Sequence, residues 1–308
     1  MIVKPNELTF GDKRFFCIIA GVPGIGKTTL ALSAPKPLLL DLDGGIGRVE
    51  ARYRKDADVA QTFEELSHDL ATADLSAYES IVIDTGGKLL EMLKPVAIAE
   101  DQANGKRDGS LSLKGYGAVK RKFAQFVQTI RSLKKHLIIV FHASEVALAN
   151  DLTGLRIRVE GSTRDDVWDD VDIGGFMEMA GKKRTIGFSN CERYYAKGTM
   201  GVHGIYEIPT LANGSQNDFL TRLFKQMQDG LNAETRELKA YQETMDACDA
   251  LLAEAKDAET LNNVYGAIAQ AEHHLTSKEE LWAAVNAKAK AMGLKYDKPS
   301  NKFLPDNA

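Results

Sequence analysis

The sequence predicts an α/β fold in which a mostly parallel sheet carries a phosphate-binding loop. Residues 21–29 match the pattern G-x-x-x-x-G-K-[ST] and stand between an apolar run and a segment that can begin a helix. Three continuous apolar runs end at polar side chains, which is typical of parallel strands buried on both faces. An antiparallel hairpin pattern follows, and the C-terminal part is helical and rich in alanine.

Composition is that of an ordinary globular protein. The chain has 308 residues, 44% of them hydrophobic and 27% charged, with a net charge of −4. Any affinity for nucleic acid must therefore come from local basic patches. Cys17, Cys191 and Cys248 are too far apart for a local disulfide or metal motif, which favours a reducing, cytoplasmic location. No apolar run approaches the roughly 20 residues that cross a bilayer.

The phosphate loop is the most informative segment of the chain. Its glycines allow successive backbone N–H groups to turn towards phosphate oxygens. Lys27 can neutralise the β- and γ-phosphates, and the Thr28 hydroxyl can bind Mg²⁺. No N-K-x-D motif for reading guanine is present, so the predicted cofactors are ATP and Mg²⁺. The predicted nucleotide-binding residues are Gly21, Val22, Pro23, Gly24, Ile25, Gly26, Lys27, Thr28 and Thr29.

Polar side chains stand where the three apolar runs end, at Asp41, Asp84 and His142. Ligands of open α/β sheets bind at the carboxyl ends of the strands, so we expect these side chains to line a ligand crevice. Asp84 is predicted to hold Mg²⁺, directly or through water. His142 either senses the γ-phosphate or caps its strand. For Asp41 and Asp43, a turn before the following glycines is the alternative to a role at the ligand.

Periodicity predicts the remaining elements of this part. Thr62 and Glu65 form a capping-box pattern at the start of a helix. Two polar segments, 101–115 and 145–166, are predicted to be long loops, or a ribbon in the second case. Helices are predicted over residues 62–73, 88–100 and 119–133, a hairpin over 172–188 and a strand over 193–198.

Basic and aromatic side chains leave two interpretations open. One face of the helix at 119–133 carries lysines and arginines, which either contact DNA or are simply solvated. Tyr194, Tyr195 and Tyr206 can stack on bases, or they are ordinary aromatic residues of strands.

The sequence predicts a domain boundary at Asp229-Gly230. Before it lies an ATPase core over residues 1–228, and after it a small helical region over 229–294. The tail over 295–308 contains several lysines and can be partly disordered.

The order of these motifs resembles the RecA-like ATPase core. More narrowly, it resembles phage-encoded RecA-like ATPases of single-strand annealing and recombination, which are AAA-superfamily phage nucleotide-binding proteins. The likeness rests on Ala34–Asp41, Phe141-His142 and Arg193–Lys197, and it covers residues 14–210. It implies ATP hydrolysis, single-stranded DNA as a partner, head-to-tail self-assembly as a ring or filament, and the bacterial host cytoplasm. The C-terminal helices would bind a single-strand-binding protein or another recombination protein.

The resemblance also implies roles for single residues. Asp43 stands where the family usually has the glutamate that orients the attacking water, and its shorter side chain implies slow turnover. Lys197 stands where such proteins reach the phosphates of a neighbouring subunit. The segments 101–115 and 145–166 stand where the family places its DNA loops. The DNA-binding candidates in these segments are Lys106, Arg107, Lys114, Arg156, Arg158 and Arg164.

Three functions are therefore open. The leading one is an ATP-hydrolysing, single-stranded DNA-binding protein that promotes annealing or recombination. The second is a DNA-annealing module whose nucleotide is structural, as the short Asp43 side chain suggests. The third is a helicase-loading or regulatory AAA-type ATPase that acts on a protein partner through residues 230–308.

Overall fold

The computed structural model describes residues 10–148, 152–161, 163–212 and 214–305, together with Val3 and Leu8. The chain divides into two units. The larger unit covers Asp12–Gln228. The smaller unit covers the residues from Asp229 onward, with the described residues among the first eleven.

A nine-stranded sheet organises the described part of the larger unit. Its order is β3-β2-β4-β5-β1-β7-β8-β9, and β6 pairs with β5 outside this path. The strands from β3 to β7 in that order are parallel, whereas β6, β8 and β9 are antiparallel to their neighbours. This confirms the predicted α/β class with antiparallel hairpins. The strands are β1 Phe16–Gly21, β2 Pro37–Asp41, β3 Ala57–Asp58, β4 Ser80–Asp84, β5 His136–Ala147, β6 Thr153–Ile157, β7 Ile173–Ala180, β8 Lys183–Gly187 and β9 Ile205–Ile208.

The central strand β1 determines where the phosphate loop lies. All six of its residues are buried between β5 and β7. Its last residue, Gly21, pairs with His142 of β5 and with Met177 of β7. In the neighbouring pairs, Asp41 at the end of β2 is opposite Asp84 at the end of β4. The polar ends of four strands therefore meet at the carboxyl edge of the sheet, as predicted.

Helices of this unit follow the predicted apolar spacing, but two of them begin earlier than predicted, and α3 begins at Gly86 instead of residue 88. The capping box of α2 is formed by Thr62 and Glu65 as predicted. Helix α4 begins at Leu113 instead of the predicted residue 119, because the Ser112 hydroxyl accepts a hydrogen bond from Gly115 N and caps the helix earlier. The helices are α1 Lys27–Ala31, α2 Phe63–Thr72, α3 Gly86–Glu100, α4 Leu113–Ser132, α5 Thr163–Asp166 and α6 Phe219–Glu254, which continues into the smaller unit.

The structure decides one open alternative and contradicts one predicted strand. Strand β5 continues six residues beyond Phe141 and forms an antiparallel ribbon with β6, so residues 145–166 contain a ribbon and the short α5. The strand predicted over 193–198 is wrong. Only an isolated bridge joins Lys197 to Gly174, and the Asn190 side chain accepts the hydrogen bond of Ala196 N at 2.7 Å, so this N–H group is not available to a sheet ladder.

The smaller unit has its own apolar core, which includes Leu261, Ile268, Leu281 and Val285. The described part of the tail, up to residue 305, forms a hairpin in which Phe303 is 2% exposed and packs with its ring centroid 5.5 Å from that of Tyr265, and the last three residues lie outside the described residues. No helix in the described part of the chain is both long enough and apolar enough to span a bilayer. The further elements are α7 Ala258–Gln270, α8 Ser277–Ala291, β10 Leu294–Asp297 and β11 Lys302–Pro305.

Two adjacent glycines at the start of α3 provide a test of core packing. A Cβ at Gly86 would lie 2.5 Å from ring carbons of Phe141 and 2.6 Å from Ile139 Cγ2, whereas a Cβ at Gly87 would find its nearest atom at 3.6 Å. We predict that Gly86→Ala lowers the free energy of unfolding by about 1–3 kcal/mol through overpacking. Gly87→Ala should change it by less than about 1 kcal/mol. Urea unfolding of both variants checks this, and equal effects would contradict it.

Candidate nucleotide-binding site

A cavity of about 360 Å³ lies over the phosphate loop at the carboxyl edge of the sheet. It brings together five of the six residues predicted for catalysis and metal binding, and it leaves out Lys197. The lining residues are Pro23, Gly24, Gly26, Lys27, Thr28, Thr29, Asp43, Gly45, Arg48, Val49, Asp84 and His142.

The curvature of the loop requires glycine at two positions. Gly24 has φ 81° and Gly26 has φ 100°, in the region that residues with a Cβ rarely adopt. A Cβ at Gly21 would lie 3.1 Å from the Met177 carbonyl oxygen, so the loop also needs close contact with β7 at its start. A loop of this shape can direct consecutive amides at a phosphate group.

Lys27 is a buried cation at the centre of the site. It is 5% exposed, and its Nζ donates to the Val22 carbonyl oxygen at 2.9 Å. Burial lowers the pKa of Lys27 from 10.5 to about 8, although the Asp84 and Asp43 carboxylates oppose this change. An anion placed in the cavity would therefore stabilise the charged form of this side chain.

Thr28 and Asp84 offer two neighbouring oxygen ligands. The Thr28 hydroxyl donates to Asp84 Oδ2 at 2.6 Å. Burial raises the pKa of Asp84, and the hydrogen bond from Thr28 opposes this. No cluster of three or more His, Cys, Asp or Glu that could hold a metal is found in the described part of the chain. The pair fits Mg²⁺, which typically takes one or two protein ligands and completes its shell with phosphate oxygens and water.

The two aspartates after β2 have different environments. Asp41 is 3% exposed and accepts hydrogen bonds from Gly45 N at 2.6 Å and Ile46 N at 3.1 Å, so it stabilises the turn. Asp43 instead lines the cavity and accepts from Arg48 at 3.0 Å. The turn interpretation therefore suits Asp41, and the position beside the ligand suits Asp43.

His142 is a neutral hydrogen-bonding group in this site. Its Nε2 lies 3.6 Å from Asp43 Oδ2, and its buried Nδ1 has no partner in the described structure. Burial and the nearby Lys27 ammonium lower the pKa of His142, against the opposing effect of Asp43. Near pH 7 the ring can therefore donate one hydrogen bond and accept another, without carrying charge.

Two arginines of the site were not predicted for it from the sequence. Arg48 lines the cavity, and its spacing of five residues from Asp43 on a glycine turn could have suggested an ion pair. Arg158, predicted for DNA, lies close enough to Lys27 to contribute to its lowered pKa. No local signal could place Arg158 there, since its position depends on β6 folding back along β5, where Arg158 N donates to the His142 carbonyl oxygen at 2.7 Å.

A second cavity, of about 230 Å³, adjoins the first and shares Gly24, Gly26, Thr29 and Arg48 with it. Its far side includes Arg184 of β8 and the start of α6, and Asn217 Nδ2 donates to the Thr29 carbonyl oxygen at 2.7 Å. No motif in the sequence indicated this cavity. Its place beyond the loop is suited to the nucleoside part of a nucleotide.

The remaining candidates lie outside these two cavities. Lys114 pairs with Asp101 at 2.6 Å between α3 and α4, in the exposed connection that also carries Lys106 and Arg107. Lys197 Nζ donates to the Asp169 carbonyl oxygen at 3.1 Å. Because Lys197 pairs with Gly174 near the start of β7, it stands away from the carboxyl edge in its own chain, and its role in a neighbouring subunit stays a prediction.

Arg156 and Arg164 form a different group of candidates. Both line a cavity of about 420 Å³ between α3, α4 and the ribbon of β5 and β6, and Arg158 lines it as well. The structure thus brings together in one cavity the three arginines predicted from the segment 145–166.

A family profile and a solved structure match the chain. The chain is similar to a solved structure of the KaiC-like protein PH0186 from the hyperthermophilic archaeon Pyrococcus horikoshii OT3, at 13% sequence identity and a TM-score of 0.33, over 63% of this chain and 89% of that chain. No curated protein sequence matches. The sequence profile of the AAA_24 family, described as an AAA domain, matches residues 13–200. The chain therefore belongs to the AAA_24 family, and its core is a P-loop NTPase domain.

Proposed function

We propose that the protein is a Mg²⁺-dependent ATPase that binds single-stranded DNA and promotes annealing or recombination. The observation that carries the nucleotide part is the arrangement of buried Lys27 beside the hydrogen-bonded pair of Thr28 and Asp84. The DNA part is supported by the arginine-lined cavity next to this site and by the order of motifs.

The residues of the site fit the separate tasks of phosphoryl transfer. Lys27 would neutralise the γ-phosphate oxygens, while the loop amides hold the β-phosphate. Mg²⁺, held by Thr28 and Asp84, would neutralise charge between the two phosphates. Asp43 would accept a hydrogen bond from the attacking water, and neutral His142 would hold that water or a γ-phosphate oxygen.

One strand connects the nucleotide site to the DNA candidates. His142 stands where β5 leaves the parallel sheet and continues as the ribbon with β6. The ribbon carries Arg156, which is opposite Ser144 of β5. This continuity supports DNA binding that depends on the bound nucleotide. Head-to-tail assembly, in which Lys197 reaches the neighbouring subunit, would add a second link between hydrolysis and assembly.

A DNA-annealing module with little turnover is the second candidate. The ion pair between Asp43 and Arg48 favours it, because the Arg48 guanidinium already occupies Asp43 Oδ2, one of the two oxygens that could accept a hydrogen bond from water. The shorter side chain of aspartate acts in the same direction. The two functions differ in the rate of ATP hydrolysis and agree on the nucleotide site.

Lys27 provides a test of nucleotide binding through pH. Its pKa is about 8 in the free site, and phosphate should raise that value, so binding takes up a proton. With Mg²⁺ present, we expect uptake of about 0.1 proton per ATP analogue at pH 7 and about 0.9 at pH 9. Calorimetry in buffers of different ionisation enthalpy measures this. His142→Gln should retain the uptake, and equal uptake at both pH values would contradict the assignment.

Variants of Asp43 test hydrolysis. We expect Asp43→Asn to lower kcat by about 100-fold or more, because a neutral amide that cannot take a proton replaces the carboxylate, while analogue affinity stays within about threefold. Asp43→Glu introduces the longer side chain that the resembling family usually has at this position, and it should retain turnover. Steady-state ATPase assays with and without single-stranded DNA measure both, and Lys27→Ala is the control that loses binding and turnover. Wild-type turnover at background in both assays would favour the structural-nucleotide candidate.

The exposed lysines and arginine between α3 and α4 test DNA binding. Replacing Lys106, Arg107 and Lys114 together by Gln should weaken single-stranded DNA binding and lower the slope of log affinity against log salt by about 0.7 for each lost phosphate contact. Lys182→Gln with Lys225→Gln, at exposed positions outside this segment, is the matched control. Anisotropy measures affinity, and sedimentation reports particle size. Salt-independent affinity of the wild type would argue against phosphate contacts.

A further inference from the structure

A fourth cavity of the larger unit combines aromatic and basic side chains outside the nucleotide site. Its volume is about 410 Å³, and it lies beside β6 and α5. Trp168, Phe176 and Tyr195 supply its aromatic lining, and Arg156 and Arg164 supply its positive charge. We call it the aromatic cavity.

The aromatic residues pack on one another and leave one of them accessible. The ring centroids of Trp168 and Tyr195 are 5.2 Å apart at 78°, and those of Trp168 and Phe176 are 6.1 Å apart at 16°. Trp168 is 6% exposed, whereas Tyr195 is 50% exposed. Packing holds the rings of Trp168 and Phe176 in place, and Tyr195 is half exposed beside the cavity. Such a surface suits a flat ring that stacks on it.

The two arginines join this cavity to its neighbour. Both also line the 420 Å³ cavity described above, so a groove continues across β6. Arg156 donates to the carbonyl oxygens of Leu155 at 2.9 Å and Arg193 at 3.4 Å, and no carboxylate partner of it is found in the described part of the chain. The Arg164 side chain is 44% exposed and has Asp165 at 3.6 Å. These guanidinium groups remain able to bind an anion.

The carboxylates of the aromatic cavity decide which part of a ligand enters. Asp165 and Asp169 belong to its lining, so a phosphate inside would meet repulsion. A nucleobase would instead donate its ring or amino N–H groups to them. Phosphates on either side of that base would meet Arg156 and Arg164 in the groove. A polymer of flat rings on an anionic backbone satisfies all three features, provided that its bases are not already stacked and paired.

We infer that this cavity is a base-stacking site, in which one unstacked base of a single-stranded nucleic acid packs on Tyr195, beside Trp168, while the flanking phosphates contact Arg156 and Arg164. The inference rests on the proposed binding of single-stranded DNA and adds a contact with the bases. It also distinguishes Tyr195 from the other two tyrosines for which the sequence left base stacking open. Tyr194 is 5% exposed, and Tyr206 packs against Phe188 elsewhere in the sheet.

Tryptophan fluorescence tests this inference, because the chain has two tryptophans and Trp282 belongs to the smaller unit. In full-length protein carrying Trp282→Phe, a DNA strand of mixed sequence should quench Trp168. An abasic strand of equal length should bind more weakly and leave the emission unchanged. Tyr195→Ala should weaken binding by about 5- to 100-fold, the usual effect of losing one stacked base. Tyr195→Phe retains the ring and should retain affinity, and Tyr206→Ala is the matched control.

The outcomes separate this inference from the proposed function. If DNA binds without quenching and Tyr195→Ala binds like the wild type, the stacking site is wrong and the proposed DNA binding stands. If the abasic strand binds and quenches equally, the contact is with phosphates alone and the inference is again overturned. If no strand binds at low salt, the proposed function itself fails. Analogue binding by each variant confirms that it is folded.

Discussion

The hydrogen bond between Thr28 and Asp84 is the interaction on which the site depends. It joins the phosphate loop after β1 to the end of β4, where the Asp84 carboxylate and the Lys27 ammonium are both buried. A single buried charge is strongly unfavourable, whereas opposite charges held together with hydrogen bonds are tolerated. The site therefore requires β1 and β4 to end at the same level along the sheet, so that the phosphate loop and Asp84 meet. Desolvation nevertheless outweighs pairing, since the pKa of Lys27 stays low and that of Asp84 stays high. A triphosphate with its metal would place negative charge beside Lys27 and positive charge beside Asp84. Both groups would then be stabilised in their charged forms, so this edge of the sheet favours such a ligand.

The parallel sheet provides that common level. Asp41 pairs with Asp84, and Gly21 pairs with His142, so the register of four strands brings the polar ends together. Register is well determined here because buried strands on both sides leave few alternative pairings for the apolar side chains. Asp41 then binds the amides of the following turn and directs the chain so that Asp43 reaches the cavity. Asp41 thus positions Asp43 through the backbone, and the two aspartates are not equivalent.

Features that depend on neighbouring residues were predictable from the sequence, and features that depend on distant pairing were not. The phosphate loop, the strand ends and the capping box of Thr62 are local patterns, and the structure contains them. The strand predicted around Tyr194 is absent because that ring packs on Phe176, at a centroid distance of 5.1 Å, and the nearby backbone bonds to a side chain instead. The hairpin containing Phe303 resembled a charged tail in the sequence, because the partners of Phe303 and Tyr296 lie in α7 and no local spacing indicates that contact. Arg158 reaches the nucleotide site only through the pairing of β6 with β5, which no spacing in the sequence encodes.

The pairing of β6 with β5 also limits how strongly a bound nucleotide could change the affinity of the groove for DNA. A ligand changes an equilibrium only through contacts that differ between the two states. His142 offers one such contact, because its buried Nδ1 has no partner in the described structure and its carbonyl oxygen holds Arg158 N. One neutral hydrogen bond contributes about 0.5–1.5 kcal/mol, which corresponds to a change in affinity of about 2- to 12-fold. In the proposed function, His142 alone would therefore tune DNA binding modestly. Stronger dependence on ATP would require the additional charge contacts of Arg158 near Lys27, or contacts between subunits.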